Sequence, residues 1–292
     1  MISSFSKFKC SLGEGIVWHP ETNSILWVDI NQNKVFKKRV NSTSIEYDAC
    51  WILDETPTAV ILSDSSDSVL LLTERRLANL TISSGELSTI VNLSLPDGVR
   101  TNDAGVGPSN TIWFGTMESS PSGINGNIYI IDSDLVVHDT GIKMGIPNTF
   151  LWDQRSDLVY VSDSYVNSLY GVRFNKGAAD VNKIYCVEDS SCTPDGGCHI
   201  NSESFVVAHW GAAQLRWFNK GGLYNTSDLP VLQPTNCCVI NQSGCTELYV
   251  TSATEGLSEF ELDKYPKSGE LIKIKLNNKF ELQEPIRWVT KN

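Results

Sequence analysis

The sequence predicts an all-β fold, a six-bladed β-propeller with four-stranded antiparallel blades, and three observations carry the prediction. A short β-branched or aromatic run occurs six times, as ILWVDI, VLLLTE, TIWFGT, LVYVSD, FVVAHW and LYVTSA. With Trp27, Leu71, Trp113, Tyr160, Val206 and Tyr249 as equivalent positions, the runs are spaced 44, 42, 47, 46 and 43 residues apart. That period is the length of about four short strands with their turns. No segment sustains a 3.6-residue apolar period, so the repeats read as sheets and not as helix pairs. Radial repetition of such sheets leaves only short, protected edges.

Taken in chain order, each marker is followed by a turn and a second strand-like stretch. The first repeat pairs ILWVDI with KVFKKRV, the second VLLLTE with LANLTI, and the third TIWFGT with NIYIID. The fourth pairs LVYVSD with SLYGVRF, the fifth FVVAHW with QLRWFN, and the sixth LYVTSA with GELIKIKL. This is the pattern of successive hairpins. The tract SDSSDS, residues 63–68, reads as an exposed turn, and NKGGLYNTSD, residues 219–228, as a loop between blades. The stretch from Phe5 to Cys10 is expected to supply the outer strand of the last blade. No linker divides the chain, so residues 1–292 are expected to form a single propeller domain.

Composition narrows the function classes. A net charge of −11 argues against nucleic acid and anionic membranes as partners, since both need clustered Lys and Arg, and is compatible with binding a cation. The N-terminal MISSFSKFKC has no apolar core or small-residue cleavage site, and no stretch approaches a membrane span, so the expected location is cytoplasmic. The expected assembly is a monomer or weak oligomer. Eight cysteines without a C-x-x-C pair read mostly as core thiols. The four histidines lack H-x-H or H-E-x-x-H spacing, and neither a G-x-S-x-G elbow nor a P-loop is present.

Repeat phase points to a site. The residue 11 to 14 positions ahead of each marker is Glu14, Thr58, Asn102, Asn148, Asp195 or Thr235, and all six carry side-chain oxygen. In a four-stranded blade this position heads the innermost strand, near the propeller axis. Carboxylates, carboxamides and hydroxyls converging there form the donor set of a hard divalent cation. The ends of the returning strands add Glu118, Asp163, His209 and Trp210 to the same mouth. Arg100 lies two residues before Asn102 and therefore on the same side of its strand. A single Asn or Asp ahead of a strand is by default a turn residue, and Asp195 sits in the turn tetrapeptide of TPDGG. Agreement in phase favours a shared site most for Glu14, Asn148 and Asp195, and less for Thr58 and Thr235. Asp97 and Asp103 read as structural.

Five ordered motifs, LGEGIVWHP, RTNDAGVGPSNTIWFGTME, GIPNTFLWDQRSDLVYVSDS, PDGGCHINSESFVVAHWG and LPVLQPTNCCVINQSGCTELYVTSA, resemble the successive signatures of the gluconolactonase and regucalcin (senescence marker protein) family, which includes luciferin-regenerating enzyme. The tail EGLSEFELDKYPKSGELIKI is more similar to bacterial sugar lactonases than to animal regucalcin. The resemblance implies one divalent metal, Ca2+ or Zn2+ foremost, with Mg2+, Mn2+ or Fe2+ as further candidates, at the top of the channel. It implies Glu14, Asn148 and Asp195 as metal ligands, and Arg100, Asn102 and Glu118 as substrate contacts. Two positions depart from the family pattern: Ile16 replaces the Pro after GEG, and Thr149 replaces the Gly after the ligand Asn.

The expectation is a metal-dependent lactonase that opens a sugar aldonolactone to the aldonic acid, with Asp195 as general base. Two alternatives stay open. One is a non-catalytic, calcium-binding regulatory propeller of the regucalcin type, which would need no Arg100. The other is a metal-dependent esterase of different substrate class, which would call for a more apolar mouth.

Overall fold

The computed structural model describes residues 1–175, 178–188, 191–242, 244–277 and 279–289. After β1 (Ile2–Ser6), the first sheet comprises β2 (Gly13–His19), β3 (Ser24–Asp29), β4 (Lys34–Arg39) and β5 (Ala49–Ile52). The second is β6 (Pro57–Leu62), β7 (Ser68–Thr73), β8 (Arg76–Thr81) and β9 (Leu87–Asn92), and the third is β10 (Val99–Gly107), β11 (Thr111–Glu118), β12 (Gly126–Ile131) and β13 (Val137–Met144). The fourth is β14 (Pro147–Asp153), β15 (Leu158–Asp163), β16 (Ser168–Asn175) and β17 (Ala178–Cys186). The fifth is β18 (Thr193–Asn201), β19 (Ser204–Trp210), β20 (Gln214–Asn219) and β21 (Gly222–Asp228). The sixth is β22 (Gln233–Gln242), β23 (Cys245–Ala253) and β24 (Leu271–Lys275), with β1 as its fourth strand. Six four-stranded antiparallel sheets in this order are the fold class of a six-bladed β-propeller.

Every marker residue lies on the second strand of its sheet, and every stretch that follows a marker overlaps the third. Burial explains why the second strands are so legible. β3 and β7 are buried along their whole length, with both faces covered, so they read as continuous apolar runs instead of alternating ones. Third strands such as β4 and β8 alternate, and fourth strands are largely exposed.

The chain divides into two compact units. Met1–Thr56 with Asp195–Glu284 holds the first, fifth and sixth sheets, and Pro57–Pro194 with Pro285–Asn292 holds the other three. In the second of these units, alternation along β11 serves two cores. Ile112 and Phe114 pack with Leu70, Leu72 and Leu77, whereas Trp113 packs with Val159, Val161 and Val172. Trp288 joins the former cluster, and its backbone N–H donates to the Leu62 carbonyl at 2.9 Å. In the first unit Cys237 and Cys238 face opposite ways, one with Leu248 and Ile272, the other with Trp27 and Tyr249.

Three expectations change. The fourth strand of the last sheet does come from the N-terminus, but as Ile2–Ser6. Residues 222–228 form β21 and not a loop, paired with β20. An outer edge strand buries little, so its polar sequence GLYNTSD imitates a loop. A six-residue helix, α1 (Glu259–Lys264), lies between β23 and β24. It buries nothing and therefore shows no apolar period, but Ser258 and Glu261 form a reciprocal capping box that the S-x-x-E spacing encodes. Among the described residues all eight cysteines are free thiols; four are buried and Cys186 is exposed.

Candidate functional site

The six phase-selected residues all fall on the first strands of their sheets, β2, β6, β10, β14, β18 and β22. A register shift follows at or next to the selected position in five of these strands. It lies between Glu14 and Val17, Pro57 and Ala59, Thr101 and Ala104, Asn148 and Leu151, and Pro234 and Cys237. A bulge of this kind adds one residue to one strand and re-aims the side chains around it. Glu14 and Asn148 occupy the same place, the last paired residue before the bulge. In β10 that place belongs to Thr101, and Asn102 is the first bulged residue; in β22 it belongs to Pro234. Counting back from the marker thus misses by one residue wherever the paired segments differ in length.

In the unit holding β2 and β18, the carboxylate of Glu14 is buried and its Oε2 accepts from the Gly15 N–H at 3.0 Å and from Asn236 Nδ2 at 3.4 Å. Gly15 is at φ +52°, the left-handed turn that lets its N–H bend back on the preceding side chain. Asn236 is oriented from its other end, since its Oδ1 accepts from the Cys237 N–H at 2.8 Å. Asp195 is also buried, and Gly196 beside it has no room for a side chain: a Cβ would lie 2.3 Å from Asn236 Cγ. Asn236 is a site residue that the sequence analysis missed. The neighbouring Thr235 hydroxyl is instead engaged with the Gly13 carbonyl and Thr251.

The unit holding β10 and β14 carries a directed hydrogen-bond chain. Arg100 Nη1 donates to the Thr101 carbonyl at 2.8 Å and to Asn102 Oδ1 at 3.2 Å. Asn102 Nδ2 donates to the Pro147 carbonyl at 3.1 Å and to Asn148 Oδ1 at 2.7 Å. Asn148 Nδ2 donates to Ser164 Oγ at 2.9 Å, and Ser164 donates to the Pro194 carbonyl at 2.7 Å. Arg100, Asn102 and Asn148 are therefore brought together, as expected. Thr58 is not part of this group; its hydroxyl bonds Thr101 and the Leu72 carbonyl.

The bulge after Asn148 places Thr149 at φ +83° and Phe150 at φ +46°, both in the left-handed region, where a β-branched residue is strained. Hydrogen bonds hold Thr149 there: its N–H donates to Asp103 Oδ2 at 2.9 Å, and its hydroxyl meets Ser162 Oγ at 3.0 Å. Asp103 is structural, as expected, and burial raises its pKa to about 7 against the lowering effect of the Ala104 and Thr149 N–H groups.

The strand-end residues Asp163 and Glu118 pair with Pro147 and Val99, at the heads of the first strands of their sheets. Asp163 accepts the N–H groups of Gly145, Ile146 and Tyr165, and Asp29 does the same for Ser11 and Leu12, so both carboxylates brace the loop that enters the first strand of their own sheet. His209 is fully buried, and burial with the nearby Arg216 charge lowers its pKa to about 3, leaving it neutral. Glu118, two residues past the partner of Thr101, accepts from the N–H and hydroxyl of Ser122, both at 2.8 Å. Bonds from Asn125 and Ser122 hold its carboxyl below the usual range.

A divalent metal fits the donor chemistry of this set. Glu14 and Asp195 are buried carboxylates, and Asn148 Oδ1 has a second lone pair beyond the one facing Asn102. All are hard oxygen donors. Among the described residues no group of three or more His, Cys, Asp and Glu side chains is placed to hold a metal, and the proposed set contains only two of those types.

Comparison with known proteins places the chain in a family. Residues 12–254 match the family model described as the SMP-30/Gluconolactonase/LRE-like region. L-arabinolactonase of Azospirillum brasilense is 26% identical over 265 residues, covering 89% of this chain and 86% of that protein. Regucalcin of Gallus gallus is 28% identical over 275 residues, covering 90% of each. Among solved structures, a calcium-binding regucalcin from Agrobacterium tumefaciens superimposes with a TM-score of 0.87 at 22% identity, over 98% of this chain and 96% of that one. A luciferin-regenerating enzyme superimposes with a TM-score of 0.86 at 21% identity, over 100% and 99%. The chain belongs to the SMP-30/gluconolactonase/LRE-like family.

Proposed function

We propose that the chain is a divalent-metal-dependent lactonase that hydrolyses a sugar aldonolactone to the aldonic acid, with Glu14, Asn148 and Asp195 as metal ligands. The observation that carries this reading is the Arg100–Asn102–Asn148 chain, which links a guanidinium suited to hydroxylated ligands to a candidate ligand oxygen. Relatives named L-arabinolactonase and gluconolactonase support the substrate class. A purely calcium-binding role has no evident use for the directed donors of Arg100.

A bound metal supplies a Lewis acid that polarises the lactone carbonyl. Asp195 takes the proton of the attacking water as the new C–O bond forms, then returns it to the ring oxygen as the ester bond breaks. Arg100 and Asn102 hold the ring through its hydroxyls, and Glu118 is assigned to the same face on the resemblance alone. Chelated protein supplied with single divalent metals and a panel of aldonolactones tests the reading by acid release. Metal-dependent turnover of at least one sugar lactone is expected; metal binding with no turnover of any would favour the regulatory alternative.

A further inference from the structure

We infer that Ser164 is a positioning residue that decides which end of the Asn148 carboxamide faces the metal; the inference rests on the metal reading above and extends it. A carboxamide has an oxygen end that can ligate a cation and an NH2 end that cannot. The two ends have nearly the same shape, so packing alone discriminates poorly between them. Hydrogen-bond polarity discriminates well.

The polarity runs one way through the whole group. A serine hydroxyl has one proton, and that of Ser164 is committed to the Pro194 carbonyl at 2.7 Å, an atom that can only accept. Ser164 Oγ must therefore accept from Asn148, at 2.9 Å, so the NH2 end is held there and Oδ1 is turned to the opposite side. On that side Asn102 presents a donor, because its Nδ2 also serves the acceptor-only Pro147 carbonyl and its Oδ1 is claimed by Arg100, which can only donate. Each amide is thus fixed by groups that cannot exchange roles. Turning Asn148 over would oppose its NH2 to that of Asn102 and leave its oxygen facing a hydroxyl with no proton to give.

Ser164 is itself well placed to act as a reference. It opens the 3-10 turn Ser164–Val166, whose N-cap Asp163 accepts from the Tyr165 N–H, and its N–H donates to the Ile146 carbonyl at 2.9 Å. Its own carbonyl accepts from the Thr193 hydroxyl at 2.5 Å. The Ser164 backbone is anchored from both sides independently of Asn148.

A double-mutant cycle on the full chain tests the assignment, with Ca2+ and Mn2+ affinity measured by calorimetry and the metal-free melting temperature recorded for each variant. Ser164→Ala is expected to weaken metal binding about 10- to 100-fold, as loss of an orienting partner typically does, and Ser164→Thr to restore most of it. A carboxylate has two oxygen ends and nothing to turn over. In the Asn148→Asp background, therefore, Ser164→Ala is expected to change affinity less than about 3-fold. An equal loss in both backgrounds overturns the positioning role and leaves a general structural one, and no loss in the Asn148 background overturns it outright. Wild-type protein that takes up neither metal defeats the metal reading, and the inference with it; wild-type uptake with an unaffected Ser164→Ala defeats the inference alone.

Discussion

At the scale of the residue, Asp29, Asp163, Glu14 and Asp195 are all buried carboxylates, and their hydrogen-bond partners show which of them hold loops. Asp29 and Asp163 have both oxygens engaged by backbone N–H groups, and Glu14 Oε2 is met by the Gly15 N–H and the Asn236 amide. Glu14→Gln, which keeps an oxygen but loses a ligand charge, is expected to lose metal affinity and turnover in step. Asp195→Asn is expected to lose turnover by a larger factor than affinity, as removal of a general base typically costs about 10²–10⁴-fold. Calorimetry and acid-release rates on the two variants check the contrast, and near wild-type turnover by metal-loaded Asp195→Asn would remove Asp195 as the base. For Arg100, loss of a charge-assisted hydrogen bond to substrate amounts to about 1.5–3 kcal/mol, roughly ten- to a hundredfold in kcat/KM. Arg100→Ala should show that loss with little change in melting temperature. A lowered melting temperature with unchanged kinetics would make Arg100 a brace for Asn102 only.

At the scale of the element, the recurring device is a first strand that bulges beside the candidate position. The bulge begins directly after Glu14 and Asn148, and in β14 it sets two consecutive positive-φ residues, neither of them glycine. Thr149 stands where relatives are expected to carry glycine, and Asp103 and Ser162 hold it in place. A second element-level feature is the C-terminal segment of the unit containing β6 and β10. Trp288 is buried against Leu77, Phe114 and their neighbours, and Val289 exchanges hydrogen bonds with the Asn110 side chain at 2.7 and 2.8 Å. Trp288→Ala should destabilise the protein by about 3–5 kcal/mol, the usual range for emptying a buried aromatic site. Denaturant unfolding measures it, and a loss under 1 kcal/mol would show that the segment is not part of that core.

At the scale of the whole molecule, six sheets supply the core and the metal is expected to be a ligand of the folded state. Chelator should therefore abolish lactone hydrolysis and lower the melting temperature without unfolding the chain, while metal at a hundred times its Kd should add about 2.7 kcal/mol of stability. Loss of the β-sheet circular dichroism signal on chelation alone would contradict this. Stability should also depend on pH through His209. Its pKa is about 3 in the folded chain against an ordinary value of about 6.5, so between these limits the unfolded chain binds the extra proton. His209 consequently makes stability fall as pH drops from about 6.5 to about 3. His209→Phe, which keeps an aromatic ring parallel to Phe218, should flatten that acid limb in urea titrations. An unchanged slope would exclude His209 as its source.

The sequence by itself determined the number of sheets and the order of strands within them. Second strands are covered on both faces and cannot hide their apolar runs, so Trp27, Leu71, Trp113, Tyr160, Val206 and Tyr249 mark the repeat directly. Position within the repeat then led to Glu14, Asn148 and Asp195, because a first strand needs no buried oxygen for its own pairing. The strand β21 was illegible for the converse reason: an exposed edge has no reason to differ in composition from a loop. Only the tertiary structure distinguished Asn236 from Thr235 and showed that Asp163 braces a loop and that Glu118 is bound by Ser122. Sequence spacing carries the period of a strand, but a one-residue bulge changes which side chain is turned out of the ladder. The direction of a hydrogen bond, as in Asn148 between Asn102 and Ser164, exists only once partners distant in the chain have met.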